Sequence, residues 1–511
     1  MTAYCVVFAG AEAFAESIRV TPDADGSDRP LRSALTAARR QTGAGRPVTL
    51  ELAGGRYELS QPLAFDPGDS GLTLKALPGQ RPVLSGGTRI RGWRPSATNP
   101  ALWTVFLPEV SHGQWYFHQL FVAGERAQRA RTPNAGFFQA TGRLGTNTPI
   151  ALPFRRGDVH PEWAGLRDAR LIVLMKWTDL QVPLVGVIPG VDSASDVALL
   201  TGGPRPYWMD EPDARYWVEN VPDALDVPGE WYLDRKSGRL DYWAPPGLDP
   251  NVAEVVAPRL TELLRIQGGE GKPRPVTGIH FEGLTFAEAD YTMPDQGLIS
   301  PQAAVAVPGT LRIEGSLAGS IEDCRLENLG GYAIELGRGA RQWRIVGNTI
   351  RSIGAGGVRI GEPGNSHPSE FDANNSHQIT DNEITSLGRI FAPAVGILIF
   401  HSGTNRIAHN HLSDLYYTGI SVGWNWGYEE TPCRANLIEF NLVERVGQDR
   451  LSDMGGIYTL GPQPGTVIRN NVFRDISSHG YGGWGLYTDE GSTGIVLENN
   501  VVYRCKSAGF H

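Results

Sequence analysis

The chain has 511 residues, of which 63 are glycine and 36 proline, with 20% charged and a net charge of −9 at pH 7. That length exceeds one ordinary core, so two or three units or a long solenoid are expected, and the glycine and proline content suits a turn-rich β protein rather than disorder. The acidic balance argues against a nucleic-acid partner, and no stretch reaches the roughly 18 apolar residues of a membrane span.

Residues 1–17 are apolar and carry Ala13, Phe14 and Ala15, which mimic a signal-peptidase site. They also lack a basic start and contain Glu12, so they read as a degraded or a misassigned signal peptide, and the expected location is secreted or periplasmic. The four cysteines, Cys5, Cys324, Cys433 and Cys505, show neither CxxC nor zinc spacing. They define no disulfide framework, and Cys324 and Cys505 are expected to be buried at turns.

Residues 18–88 form an N-terminal cap and the first coils. Strands are expected from Ile18, at 48–52, at 56–59 and at 72–76, with an amphipathic helix over 31–41 that seals the end of an apolar column. The opening at Gly54, Gly55, Arg56 and Tyr57 resembles the first coil of pectate-lyase-like β-helix proteins. Residues 89–259 are expected to be an inserted domain. Short apolar runs between proline and glycine turns predict an antiparallel β sandwich or barrel, placed to wall a cleft or simply to stabilise.

From 260 to 511 the sequence repeats. Strands begin at Gly357, Gly396, Gly419, Gly456 and Gly485, and turns carry Asn348, Asn382, Asn410, Asn441, Asn470 and Asn499, stepping by 34, 28, 31, 29 and 29 residues. Such a period with period-2 apolar alternation predicts a right-handed parallel β-helix, one coil per repeat. Ile457 and Thr459 then point inward, and Tyr458 and Tyr487 outward, on coils about 4.8 Å apart. Asparagine suits the turns because it accepts positive φ and its side chain bonds free backbone groups. The chain stops at His511 just as another strand begins, so further coils and a cap are expected beyond it.

Three segments depart from the minimal coil: 400–405, 422–430, and 448–456 together with 477–491. Acids and aromatics gathered at adjacent turns suit glycosidic chemistry, in which one carboxyl protonates the leaving oxygen while another attacks or activates water. Asp489 points outward beside Tyr487; Glu490 begins the turn; Asp453 precedes the strand of the coil before. In this register Asp489 lies seven positions beyond Asp453, or about 23 Å on a straight strand. The pair therefore requires the 452–454 loop to fold back; otherwise the partner is Glu490, Glu429 or Glu430. His401, Trp424, Trp426, Tyr458, Trp484 and Tyr487 are the candidate sugar contacts, with coil packing the alternative for the two tryptophans around Asn425. His401, His409 and His411 bring no second ligand set at zinc spacing, so neither metal nor cofactor is expected.

The segments 452–459, 485–491 and 228–234 resemble those of bacterial β-helix glycoside hydrolases, nearest to glycoside hydrolase family 141 and more distantly to family 120 β-xylosidases. The likeness extends over residues 18–511. It implies fucosidase- or xylosidase/xylanase-like hydrolysis of plant cell-wall polysaccharides or their side chains by a cofactor-free monomer. A catalytic pair of aspartates about one coil apart maps by this resemblance onto Asp453 and Asp489. Two alternatives stay open: a polysaccharide lyase or epimerase of the same architecture, with clustered carboxylates for Ca²⁺ and a Lys or Arg base, and a non-catalytic glycan-binding surface protein that needs Trp424 and Trp426 but not the acids.

Overall fold

The structure, a computed structural model, describes residues 16–97, 99–191, 194–201, 211–269 and 274–511. Cys5 and the leader-like stretch up to residue 15 lie outside these residues, while Glu16 and Ser17 already belong to the first strand, Glu16–Val20.

Three long sheets of eleven, ten and nine strands run the length of the molecule. The chain visits them in rotation, as in Arg344–Val346, Thr349–Ile353 and Val358–Ile360, and every neighbouring pair within them is parallel. This is the predicted parallel β-helix. In the third, nine-stranded sheet, Ile334, Val358, Ile397, Ile420, Ile457 and Leu486 stand in one register column, and all are buried. The next position along, from Glu335 through Arg359, Leu398 and Ser421 to Tyr458 and Tyr487, faces outward by strand alternation. That column is buried too, because loops and the inserted region cover this face.

A buried asparagine ladder lines the turn between the first and second sheets. The backbone N–H of Asn348 donates to Asn382 Oδ1 at 2.9 Å, and the same bond recurs from Asn382 to Asn410, Asn410 to Asn441, Asn441 to Asn471 and Asn471 to Asn500. The expected members Asn470 and Asn499 are each one residue too early. They occupy the preceding corner, with φ of 55° and 53°, where Gly347, Asp381, His409 and Phe440 stand in the other coils. Two adjacent asparagines in each of these turns divide the work: one takes the left-handed corner, the other the ladder.

The helix Arg29–Thr42 caps the first coils. Its buried residues Leu31, Ala34, Leu35 and Ala38 follow the 3, 4, 7 spacing of a single apolar stripe. Leu264–Ile266 pairs in parallel with Leu63–Phe65, and His280–Glu282 with Thr73–Lys75, so a coil interrupted early is resumed far along the chain. The intervening sheets have four, five and eight strands and are mainly antiparallel. They enclose two cores of their own, one around Phe154, Trp163 and Tyr216 and one around Trp115, Phe117 and Trp231. The strand Leu298–Ser300 pairs with Asp179–Gln181 of the eight-stranded sheet, and Gln181 Nε2 donates to the Ile390 carbonyl at 2.7 Å, tying the inserted region to the coils.

Among the described residues no helix is long and apolar enough to cross a membrane. Cys324 and Cys433 are buried free thiols that burial pushes up to about 12. Cys505, expected to be buried, is only half-buried.

Candidate active site

Asp453 and Asp489 flank neighbouring strands of the third sheet. Asp453 lies before Gly455–Thr459, and Asp489 follows Trp484–Thr488. The strands are paired with Tyr458 beside Tyr487, whose rings are 5.0 Å apart at 81°. Each tyrosine reaches across to the other coil's acid. The Tyr487 hydroxyl donates to Asp453 Oδ1 at 2.9 Å, and the Tyr458 hydroxyl donates to Asp489 Oδ2 at 2.7 Å. The Asp489 charge acts on the Asp453 carboxyl, so the two acids lie nearer than the straight-strand separation of about 23 Å. The chain turns sharply at Asp453, with φ of 55°, and the long phenolic side chains close the remaining gap.

The inserted region holds that turn. Ser452 N–H donates to the Lys176 carbonyl at 2.5 Å, Ser452 Oγ donates to Glu211 Oε1 at 3.2 Å, and Arg215 Nη1 donates to the Asp449 carbonyl at 2.8 Å. From the coil side, Tyr417 donates its hydroxyl to the Asp453 main-chain carbonyl at 2.8 Å. The Tyr481 main-chain carbonyl accepts from Asp453 N–H at 2.8 Å.

Burial raises the Asp453 pKa; the Tyr487 bond and the nearby Tyr481 hydroxyl oppose that shift, and the negative charge of Asp489 adds to it. Burial and the nearby carboxylates also lift the Tyr458, Tyr481 and Tyr487 phenols well above their usual range, so they stay protonated and serve as donors. Glu211, also raised by burial, is a third carboxyl beside the Asp453 loop.

The other expected site residues divide. Trp484 is buried and stacks on His511, ring centroids 4.0 Å apart and 5° from parallel. Tyr458 and Tyr487, expected as sugar platforms, are buried and hold the carboxylates instead. Trp424 packs edge-on against Phe400 and against Trp426, and Trp426 is 50% exposed. Their turn abuts the one carrying Glu490: a Cβ on Gly491 would lie 1.8 Å from the Gly427 carbonyl oxygen. The turn that carries the tryptophans thus touches the turn that follows Asp489. Glu490 is exposed in that turn, and its carbonyl accepts from Gly461 N–H at 2.9 Å.

His401 is a correction. It is 4% exposed, its Nε2 lies 3.2 Å from the Pro363 carbonyl, and it follows Phe400, which is fully buried rather than presented outward. A ring so enclosed offers no face to a sugar. His411 pairs with Glu444 at 3.2 Å, and Glu429 with His367 at 3.2 Å. Among the described residues neither Glu429, which pairs with His367, nor Glu430 hydrogen-bonds or ion-pairs with Asp453 or Asp489. Sequence reasoning missed Tyr417, Tyr481 and Glu211; Tyr481 had the one available signal, lying within the enlarged 477–491 segment.

The family description "Right handed beta helix region" matches residues 309–511, and the fold is that of a right-handed parallel β-helix. Among solved structures, one titled "Glycoside hydrolase" is 23% identical, with a TM-score of 0.82 over 95% of this chain and 96% of the other. Another, titled "The complex structure of XylC with xylose", is 13% identical with a TM-score of 0.47, over 89% of this chain and 64% of its own. No curated protein matches the sequence.

Proposed function

We propose that the protein is a glycoside hydrolase that uses Asp453 as proton donor and Asp489 as nucleophile or general base. The observation that carries this reading is the crossed pair of hydrogen bonds, which sets two carboxyls from successive coils in one tyrosine-bound cluster. Two carboxyls suit glycosidic cleavage. Asp453, which burial holds towards its neutral form, protonates the leaving oxygen, and Asp489 attacks the anomeric carbon or takes a proton from water. Trp426, half exposed in the turn that meets the one after Asp489, offers an aromatic face to a sugar ring. The full-length likeness to a solved structure titled as a glycoside hydrolase supports the same class. The resemblance set out above directs the choice of substrate towards fucosyl- or xylosyl-containing plant cell-wall glycans.

The test is a panel of aryl glycosides on Asp453→Asn and Asp489→Asn. Both substitutions are expected to lower kcat/KM about a thousandfold on poor leaving groups. Asp453→Asn should recover much of its rate on activated aryl glycosides, which need no proton donor. Asp489→Asn should not, unless azide supplies the nucleophile. Equal, small losses in both variants would remove the two-acid assignment. An unsaturated product would redirect the reading to elimination.

A further inference from the structure

A cavity of about 710 Å³ lies between the inserted sheets and the second sheet of the helix, a size that suits one or two sugar residues. Six arginines and two glutamates line it. Neither Asp453 nor Asp489 does, but the chain links the cavity to the Asp453 turn. Tyr416 forms part of its wall, and the next residue, Tyr417, is the one bonded to the Asp453 main chain.

Most of these charges are accounted for. Arg351 pairs with Glu327 at 2.9 Å and with Glu125 at 3.6 Å, and Arg389 pairs with Asp414. Arg131 donates to the Pro133 and Gly136 carbonyls at 3.0 and 2.8 Å. Arg450 lies over the Phe137 and Tyr416 rings, and Glu219 accepts from Trp217 Nε1 at 3.3 Å.

Two arginines are left incomplete. Arg129 is 8% exposed and gives Nη2 to the Tyr116 hydroxyl at 2.6 Å, while its Nε and Nη1 find no partner among the described residues. Arg126 gives Nη2 to the Ser352 carbonyl at 2.6 Å, and its Nε and Nη1 are likewise buried without acceptors. Burial pulls Arg126 down to about 10, which leaves it cationic at neutral pH. Unpaired guanidinium N–H groups are costly to bury, and a planar oxyanion satisfies them through paired, charge-assisted bonds. Trp217, half-buried under Arg131, shares the wall, while Trp231 is fully buried beneath Arg129 and Phe117.

We propose that this cavity binds the carboxylate of a uronic-acid residue of the glycan, seated on Arg126 and Arg129. The choice of a sugar rests on the hydrolase reading; the choice of an anion rests on the two arginines. The substrate class is thereby narrowed to acidic glycans.

Calorimetric titration of the full chain with D-glucuronate, D-glucose, D-glucose 6-sulfate and inorganic sulfate tests it. Glucuronate is expected to bind at least about tenfold more tightly than glucose. Arg129→Gln and, separately, Arg126→Gln should erase that preference while Tm shifts by no more than about 4 °C. If Arg129→Gln does not fold, Arg126→Gln carries the test. Equal affinity for glucuronate and glucose, or an undiminished preference in a folded variant, overturns the proposal. Tighter binding of either sulfate than of glucuronate overturns the carboxylate assignment. Asp453→Asn should keep the glucuronate preference. Failure of wild-type hydrolysis with that preference intact therefore counts against the hydrolase reading alone, and hydrolysis without the preference counts against this proposal alone.

Discussion

Tyr487 serves Asp453 as Tyr458 serves Asp489, each from the opposite coil, so neither acid can move without its neighbour's strand. The Tyr487 bond favours the ionised form of Asp453 and so opposes the effect of burial. Tyr487→Phe is expected to raise the Asp453 pKa further and move the alkaline limb of the kcat/KM profile to higher pH, with about a tenfold loss in rate; a pH–rate profile reads both. Asp453 also carries a stability consequence. Its folded-state pKa is raised, so its contribution to stability is full below the ordinary carboxyl pKa and is lost as pH rises through the folded value. Asparagine copies the neutral acid. Asp453→Asn should therefore raise Tm at about pH 7.5 and leave it unchanged near pH 3, seen by calorimetry at the two pH values.

At the scale of the element, the turn between the first and second sheets separates two roles that look alike in sequence. Asn471 is fully buried, accepts from the Asn441 backbone and side chain, and donates Nδ2 to the Ile438 carbonyl at 3.0 Å. Asn471→Ala strands those groups in a dry core and should cost roughly 2–4 kcal/mol in urea unfolding. Asn470 holds only the left-handed corner, so Asn470→Gly should change stability by less than about 1 kcal/mol. Equal effects would return the ladder to Asn470. The repeat, the inward columns and the cap helix were all legible, because a solenoid writes its geometry locally, coil by coil. The one-residue slip in the ladder was not: where two asparagines adjoin, the sequence does not say which one the backbone turns on.

For the molecule as a whole, the inserted region shapes the site. Arg215 binds the main-chain carbonyls of Asp449 and Arg450, and Lys176 and Glu211 hold Ser452. Arg215→Ala is expected to lower kcat about tenfold while leaving the helix folded, since it frees the loop that aims Asp453; kcat and far-ultraviolet dichroism, measured together, check this. The seam between inserted region and coils holds its own titrating group. Asp179, fully buried where Leu298–Ser300 joins the inserted sheet, is raised by burial to about 6. Its stabilising contribution is complete below the ordinary carboxyl pKa and lost as pH rises past 6. Asp179→Asn should recover roughly 3 kcal/mol at alkaline pH and nothing near pH 3, measured by denaturant unfolding at both.

By itself the sequence determined the coils, because side-chain alternation and turn chemistry act between residues a few positions apart and repeat. It also put forward Asp453 and Asp489, each at the end of a recognisable strand. Only the tertiary structure decided that each acid is held by the other coil's tyrosine, that His401 is enclosed, and that Arg126 and Arg129 line a shared cavity. Those outcomes depend on side chains crossing between coils and on a region of some 170 residues folding back over them, contacts between positions far apart in the chain that no local pattern records.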